Sequence, residues 1–138
     1  AVFTIDEMDN LKISQQGDVC KNLFIRDDKG NRHFLVVLGK DKRADLKSIQ
    51  AQLGSTRLSF ASEERLDRYL QLHKGEVTPL GIINDPDAAV EVVIDKDLAG
   101  KERLGVHPND NTATLWISYD NLMKLIEQNG NTIHFVEV

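Results

Sequence analysis

Cysteine is nearly absent from the sequence. Cys20 is the only one, so an intrachain disulfide and any multi-cysteine zinc or iron–sulfur site are excluded. Long apolar runs are absent too: no stretch approaches the roughly 20 apolar residues that a membrane-spanning helix needs. The beginning of the chain, AVFTIDEMDN, has neither the basic nor the apolar region of a signal peptide. We therefore expect a cytoplasmic protein with no membrane partner.

Positive charge is in deficit. Lys and Arg total 17 against 22 Asp and Glu, a formal net charge of −5. This balance argues against binding of long duplex DNA through a broad basic face, although a small local contact with nucleic acid stays open. The densest basic cluster lies at 40–47, and its simplest interpretation is a solvated loop and helix start.

The common catalytic signatures are missing as well. There is no G-x-S-x-G elbow, no H-E-x-x-H, no Walker loop and no G-x-G-x-x-G. The histidines show no i,i+4 or H-x-H spacing, so a zinc site would need long-range convergence with carboxylates. The sequence therefore predicts no metal and no cofactor. The histidines are His33, His73, His107 and His134.

The composition that is present fits one folded domain over 1–138. Hydrophobic residues make up 41% and charged residues 28% of the 138, which is enough for both a core and solubility. The segments between turn signals alternate between helical and strand periods. The pattern indicates an α+β fold.

Turn and cap signals divide the first half of the chain. Thr4 and Glu7 form a capping-box pattern before a short first helix, and Gly54 suits the end of a later one. The turn residues 27–31 separate two strands and predict a hairpin. The predicted elements are a strand at 20–26, a strand at 33–38, a helix at 45–53 and a short strand at 57–60.

Turn and cap signals also divide the second half of the chain. Ser62 is an expected helix N-cap, with Leu66, Tyr69 and Leu70 facing the core. A glycine-bounded loop at 75–81 follows, and the turn at 84–87 predicts a second hairpin with the next strand. The remaining predicted elements are strands at 89–95, 104–107 and 112–118 around a turn at 108–111, a helix at 119–129 capped by Ser118 and ended by Gly130, and a strand at 132–138.

Three segments carry a family resemblance. They are CKNLF at 20–24, GEVTP at 75–79 as a G-x-x-x-P loop, and VHPNDNTAT at 106–114. In this order and separation they resemble the prolyl-tRNA editing family, the YbaK/ProX-like aminoacyl-tRNA deacylases related to the editing domain inserted in bacterial prolyl-tRNA synthetases. The resemblance extends through 57–64 and 90–95. It implies a mixed, mainly antiparallel and partly barrel-like sheet with surrounding helices.

The resemblance also implies an activity. The Lys21-Asn22 pair and the segment at 107–114 look most like the free-standing enzymes that clear alanine from proline tRNA. The implied partner is the acceptor end of that tRNA, with prolyl-tRNA synthetase or an elongation factor as further candidate partners. Family members generally carry an additional helix and strand before the position of Ala1, so we expect this chain to lack them.

Hydrolysis of an aminoacyl ester on a tRNA 3′ end sets requirements that these segments can meet. It needs a cation for phosphates, donors for the developing oxyanion, an acceptor for the substrate ammonium and a positioned water. Lys21 suits the first role, Asn22 can accept or donate, and the 75–81 loop can offer backbone N–H groups. Strict alternation puts Lys21 and Asn22 on opposite faces of their strand.

The resemblance assigns roles residue by residue. It makes Lys21 the principal functional residue and gives His107 a part in shaping the pocket and positioning water, while the vicinal 2′-OH of the tRNA ribose helps to activate that water. The expected catalytic residues are Lys21, Asn22 and His107. The expected substrate-binding residues are Leu23, Phe24, Gly75, Thr78, Pro79, Gly81 and Asn109.

Other interpretations stay open from the residues alone. Cys20 beside Lys21 could be a thiol nucleophile of a small-ester hydrolase, although alternation favours a core position. Trp116 and Phe135 could stack on a terminal adenine, but their apolar neighbours favour burial. The chain could also be a non-catalytic tRNA-binding or synthetase-associated module, or a deacylase for cysteinyl or seryl esters.

Overall fold

A computed structural model describes residues 18–72, 77–106 and 115–138. The first helix expected near Met8 and the turn expected at 108–111 lie outside these residues. The strands are β1 (Asp18–Arg26), β2 (His33–Gly39), β3 (Ser59–Phe60), β4 (Val90–Asp95), β5 (Leu104–Val106), β6 (Leu115–Ile117) and β7 (Ile133–Val136). The helices are α1 (Leu46–Leu53), α2 (Glu63–Leu70) and α3 (Tyr119–Asn129), with 3₁₀ helices at Pro79–Asn84 and Lys96–Leu98.

One mixed sheet organises the described chain. Its order is β6-β5-β1-β2-β4-β7, and β3 adds to β1. The β1–β2, β1–β3 and β5–β6 pairs are antiparallel, whereas β1–β5, β2–β4 and β4–β7 are parallel. The α+β class is confirmed. The sheet is evenly mixed and open rather than partly barrel-like, because β6 and β7 end the strand order without pairing with each other in the described residues.

Local chemistry explains the helix bounds. Asp45, Ser62 and Ser118 each accept a hydrogen bond from a backbone N–H of the first turn of α1, α2 and α3, respectively. Gly54 and Gly130 end α1 and α3 in the left-handed conformation, with φ of 65° and 90°. The predicted caps at Ser62, Ser118, Gly54 and Gly130 are thus confirmed.

The second hairpin is a wrong prediction. The residues after Thr78 form a 3₁₀ helix, because the Thr78 side chain accepts from the N–H of Leu80 and Pro79 supplies a helical φ at the first position. The turn at 84–87 then leads into β4, which pairs in parallel with β2 and β7 instead of folding back on its neighbour in the chain.

Two apolar clusters lie on the two faces of the sheet. One packs α2, α3 and the Pro79–Asn84 helix against side chains such as Phe24 and Val92, and we call this face the α3 side. The other packs α1 through Ile49 against Ile25 and Val93, and we call it the α1 side. Successive strand residues alternate between these two sides.

A partly buried polar network fixes the Pro79–Asn84 helix to the rest of the molecule. Asn129 Nδ2 donates to the carbonyls of Ile82 (2.9 Å) and Asp85 (3.0 Å). Asn131 Nδ2 donates to Asp85 Oδ2 (3.1 Å) and to the carbonyl of Val90 (2.7 Å). The end of α3 therefore holds the 3₁₀ helix and the start of β4 in one position.

His33 at the start of β2 is a buried histidine in a cationic environment. Its side chain packs on the rings of Tyr69 (centroids 4.1 Å apart) and Phe24 (5.7 Å), and its Nε2 lies 3.0 Å from Arg65 Nη1. Because Arg65 can only donate, Nε2 accepts and the ring is neutral. Burial first, and then the charge of Arg65, lowers the pKa of His33.

We predict that stability falls as the pH decreases below about 6.5, because the unfolded chain binds a proton that folded His33 resists. His33→Gln, which keeps an acceptor for Arg65, should weaken this dependence. The measurement is the free energy of unfolding in urea at about pH 7.5 and about pH 5.5, above the range in which carboxyl groups titrate. Equal pH dependence of the two proteins would contradict the assignment.

Candidate active site

An unpaired stretch of β1 lies at the centre of the candidate site. One edge of β1 pairs with β2 from Cys20 to Arg26. The other edge pairs with β5 only at Asp18 and Val19 and with β3 only at Ile25 and Arg26. Between them, no strand in the described part of the chain pairs with residues 21–23. We call this stretch the β1 opening.

The register fixes which peptide groups face the β1 opening. The carbonyl of Val19 accepts from the N–H of Lys40 on the β2 side, at 2.9 Å, while the carbonyl of Phe24 accepts from the N–H of Ala61 on the other side, at 3.0 Å. Odd-numbered residues of β1 thus bond to β2, and even-numbered residues point away from it. The N–H and C=O of Asn22 therefore point into the opening.

The Asn22 side chain lies on the α3 side. Its Nδ2 donates to the carbonyl of Val77 at 3.2 Å, a contact across 55 residues of sequence. Its Oδ1 is buried, and no donor among the described residues reaches it. A buried acceptor left without a partner costs roughly 1–3 kcal/mol, so Asn22 Oδ1 is an acceptor that a ligand or a water can satisfy.

The segment from Val77 to Gly81 covers this side of the opening. Thr78, Pro79 and Gly81 are buried, and the N–H groups of Leu80 and Gly81 bond to Thr78 Oγ1 and to the Thr78 carbonyl, respectively. The predicted loop thus meets Asn22 through Val77. Because two of its N–H groups are already engaged, it offers fewer oxyanion donors than the sequence suggests.

Gly81 is required by packing. A Cβ at this position would lie 2.6 Å from Leu72 Cδ1 and 3.3 Å from Leu72 Cγ. The φ of Gly81 is not unusual, so the constraint is the close approach of the Leu72 side chain rather than the backbone conformation.

Lys21 lies on the opposite side of the sheet from Asn22. Its register partner is Leu38, whose side chain belongs to the α1-side cluster. Within the described ranges, no acidic side chain pairs with the Lys21 ammonium, which is partly exposed. Lys21 and Asn22 therefore flank the β1 opening from its two sides, as alternation indicates.

The other predicted site residues divide into two groups. Leu23 packs against the α1-side cluster, and Phe24 is 5% exposed in the α3-side core. Their contact with substrate stays a prediction. Gly75, His107 and Asn109 lie outside the described residues, and β5 ends at Val106 beside the start of β1.

The Cys20 thiol is unsuited to nucleophilic attack. It is buried on the α3 side, and burial, followed by the negative charges of Asp18 and Asp95, raises its pKa to about 12. The thiolate is the reactive form, so Cys20 is unreactive at neutral pH. This favours the core position over the nucleophile.

The basic cluster at 40–47 is a loop that leads into α1. Lys42 Nζ lies 2.8 Å from buried Asp95 Oδ2 and also contacts Asp97. Asp45 accepts from the backbone of Lys47 and therefore serves as the N-cap of α1. Lys42 and Asp45 of this cluster are thus engaged in contacts within the protein.

The described residues contain neither a metal-binding cluster nor a membrane-spanning helix. No group of three or more His, Cys, Asp or Glu side chains there is placed to hold a metal ion. No helix among them is long and apolar enough to span a bilayer.

Comparison with known proteins identifies the class. The model of the aminoacyl-tRNA editing domain matches residues 1–125. The chain belongs to this family, and the protein is an aminoacyl-tRNA deacylase.

The relatives are similar over nearly the whole chain. The prolyl-tRNA editing protein ProX of Acetoanaerobium sticklandii is 52% identical over 99% of this chain and 84% of its own length. The prolyl-tRNA synthetase associated domain-containing protein 1 of Danio rerio is 35% identical over 95% of this chain and 72% of its own length. A solved structure described as a candidate trans-editing enzyme for prolyl tRNA synthetase shares the fold, with a TM-score of 0.73 and 21% identity, covering 98% of this chain and 80% of that chain.

We predict that Cys20→Ala and Cys20→Ser retain wild-type deacylation, because the thiol is protonated and faces the core. EDTA should likewise leave the rate unchanged. Initial rates of ester hydrolysis measure both effects, with circular dichroism to confirm folding of the variants. Loss of turnover in folded Cys20→Ala would restore the thiol mechanism, and loss on chelation that zinc reverses would indicate a metal.

Proposed function

We propose that this enzyme hydrolyses Ala-tRNA(Pro), cleaving alanine from the tRNA 3′ end in trans. The observation that carries the proposal is the buried Oδ1 of Asn22 at the β1 opening, which no donor among the described residues reaches; Lys21, which pairs with no acidic side chain in the same ranges, lies on the opposite side. The 52% identity to a prolyl-tRNA editing protein supports proline tRNA as the carrier.

Asn22 Oδ1 is suited to the substrate ammonium. An aminoacyl ester carries a free α-amino group, which donates hydrogen bonds and is positively charged at neutral pH. Because Nδ2 is held by the Val77 carbonyl, the amide orientation is fixed with Oδ1 as the available acceptor. An ammonium placed there would satisfy the buried oxygen without reorganisation of the site.

Lys21 is suited to the phosphates of the 3′ end. Its ammonium is a compact charge on a long side chain and lacks an acidic partner among the described residues. The substrate would lie through the β1 opening, with the amino acid on the α3 side and the nucleotide backbone on the α1 side. This arrangement needs both faces of β1 to be accessible at one point, and the lack of a strand partner for 21–23 among the described residues supports it.

The reaction is an ester hydrolysis. A water oxygen attacks the ester carbonyl carbon, the bond from that carbon to the ribose oxygen breaks, and the proton released by water passes to the departing ribose oxygen. The vicinal ribose hydroxyl assists by activating the water, and His107 helps to position it. The Asn22 N–H, which points into the opening, is a candidate donor to the developing oxyanion.

The alternatives differ in a measurable product. A panel of proline tRNA charged with alanine, cysteine, serine and proline identifies the preferred ester. Hydrolysis of none of them, with tRNA binding retained, would indicate a non-catalytic module. Prolyl-tRNA synthetase and an elongation factor are candidate docking partners, which pull-down with charged tRNA present would test.

We predict that Lys21→Ala removes most deacylation without unfolding the protein, since loss of a partly exposed charge that no described acidic side chain pairs with usually changes stability by less than about 0.5 kcal/mol. Lys21→Arg should keep part of the activity because it keeps the charge. Lys124→Ala, which removes an exposed lysine on α3, is the matched control. Wild-type kcat/KM in folded Lys21→Ala would exclude this role.

We predict that alanyl ester is hydrolysed far faster than prolyl ester. One methylene in an apolar pocket is worth only about 1–3 kcal/mol, so affinity alone discriminates poorly, whereas a clash with packed walls can exclude the larger ring. Val77→Ala, which shortens the side chain of the residue whose carbonyl accepts from Asn22, should raise the rate on bulkier esters more than it lowers alanine turnover. Equal rates on the two esters by the unmodified enzyme would contradict the proposal.

A further inference from the structure

The α1 side of the sheet carries an aromatic and basic row next to Lys21. Trp116 of β6 pairs with Gly105 of β5, and Gly105 pairs with Val19 of β1. Paired residues point to the same face, and Val19 and Lys21 share that face by alternation. Gly105 has no side chain, so nothing in the strand between them separates Trp116 from Val19.

This part of the face is not covered by the described helices. The α1-side cluster includes residues of β1, β2, β4 and β7 but no residue of β5 or β6. Trp116 is partly exposed rather than buried, contrary to the burial that its apolar neighbours favour. The indole therefore keeps an exposed part, and no described helix packs on the α1 side of β5 and β6 beside it.

Arg103 adds a cation to the indole. Its guanidinium carbon lies over the Trp116 ring, 5.1 Å from the centroid. Arg32 makes a similar contact with Phe34, but Arg32 is held by two hydrogen bonds to Glu91. Within the described ranges Arg103 is exposed and pairs with no carboxylate, so its plane and its charge stay available.

The spacing matches an extended nucleic acid strand. Neighbouring strands lie about 4.8 Å apart and residues along a strand about 3.3 Å, which places the Cα atoms of Trp116 and Lys21 about 12 Å apart. Aromatic rings and guanidinium planes are the groups on which unpaired bases stack, while lysine binds the phosphates between them. The single-stranded end of a tRNA offers both groups over this length.

We propose that Trp116 and Arg103 form a stacking site for a nucleobase of the single-stranded 3′ end of tRNA. This rests on the proposed function, because it needs Lys21 to bind the phosphates of the same strand. The base stacks on the Arg103–Trp116 pair on the α1 side while the aminoacyl ester enters the β1 opening. Phe135 has no such role: β7 forms the other end of the sheet, and Phe135 points to the α3 side.

The experiment uses the fluorescence of Trp116, the one tryptophan in the chain. The probe is an uncharged RNA hairpin of the proline tRNA acceptor stem with its single-stranded CCA end, compared with the same hairpin made blunt. We expect saturable quenching by the first and little by the second. Quenching by both equally, or by neither while the labelled CCA hairpin binds in anisotropy measurements, would overturn the proposal.

Variants separate stacking from structural packing. Trp116→Leu should weaken hairpin binding by about 10-fold and raise KM with little change in kcat, since one stacked base contributes about that much. Trp116→Phe should restore most of the affinity, and Arg103→Gln should lie between. Phe135→Ala, the matched exposed aromatic, should bind as wild type does. Unchanged binding in folded Trp116→Leu would overturn the proposal.

The two proposals fail in different ways. If the unmodified enzyme hydrolyses Ala-tRNA(Pro) but the CCA hairpin leaves Trp116 fluorescence unchanged at saturating concentration, the stacking site is wrong and the proposed function stands. If the hairpin quenches Trp116 in a CCA-dependent manner and no ester is hydrolysed, stacking is supported and the proposed function is wrong.

Discussion

The hydrogen bonding of β1 is the constraint on which the rest of the structure depends. This strand pairs with β2 along one edge, and its other edge is divided between β5 at the beginning and β3 at the end. A strand paired completely on both edges would have no backbone groups left for a ligand. Among the described residues, the interruption therefore leaves the Asn22 peptide group without a strand partner in the middle of an otherwise paired sheet.

The interruption also explains why two adjacent residues can serve one substrate. Neighbouring side chains on a strand point in opposite directions, and a closed sheet would keep them apart. At the β1 opening no described strand closes the edge of β1, and the proposed function uses this gap to let Lys21 and Asn22 contact different parts of one substrate. The proposal thereby assigns the amino acid and the nucleic acid to opposite sides of the sheet.

The sequence correctly predicted the features that depend on neighbouring residues, namely the first turn and the helix ends. The turn at 27–31 fixed the first hairpin, and Ser62, Ser118 and Gly130 marked helix ends correctly. The turn at 84–87 was misread, because turn residues show that a chain reverses but not which strand it then joins. A parallel partner requires a crossover, and only the packing of α2 and the 3₁₀ helix decides it.

Contacts within the site were less accessible to sequence reasoning. The resemblance predicted Lys21 and Asn22 as site residues, which stays a prediction, and alternation correctly placed them on opposite faces. The bond from Asn22 to Val77 spans 55 residues, so no local pattern indicates it. The contact between Arg103 and Trp116 was also missed, because it joins residues that are not neighbours in the sequence. Gly105 lies between Val19 and Trp116 in the sheet and has no side chain, so it could have suggested an open surface beside the indole.

The amides of Asn129, at the end of α3, and Asn131, just after it, link the order of synthesis to the completion of the candidate site. Asn129 and Asn131 hold the backbone near Ile82 and Asp85, and β7 completes the sheet beside β4. Such long-range contacts form late, because the entropy of closing the intervening loop is lost before the contacts compensate for it. The segment covering Asn22 is therefore not fixed until the residues after α3 have left the ribosome. A partly synthesised chain would contain Lys21 and Asn22 but would lack the fixed Val77 carbonyl that accepts from the Asn22 amide.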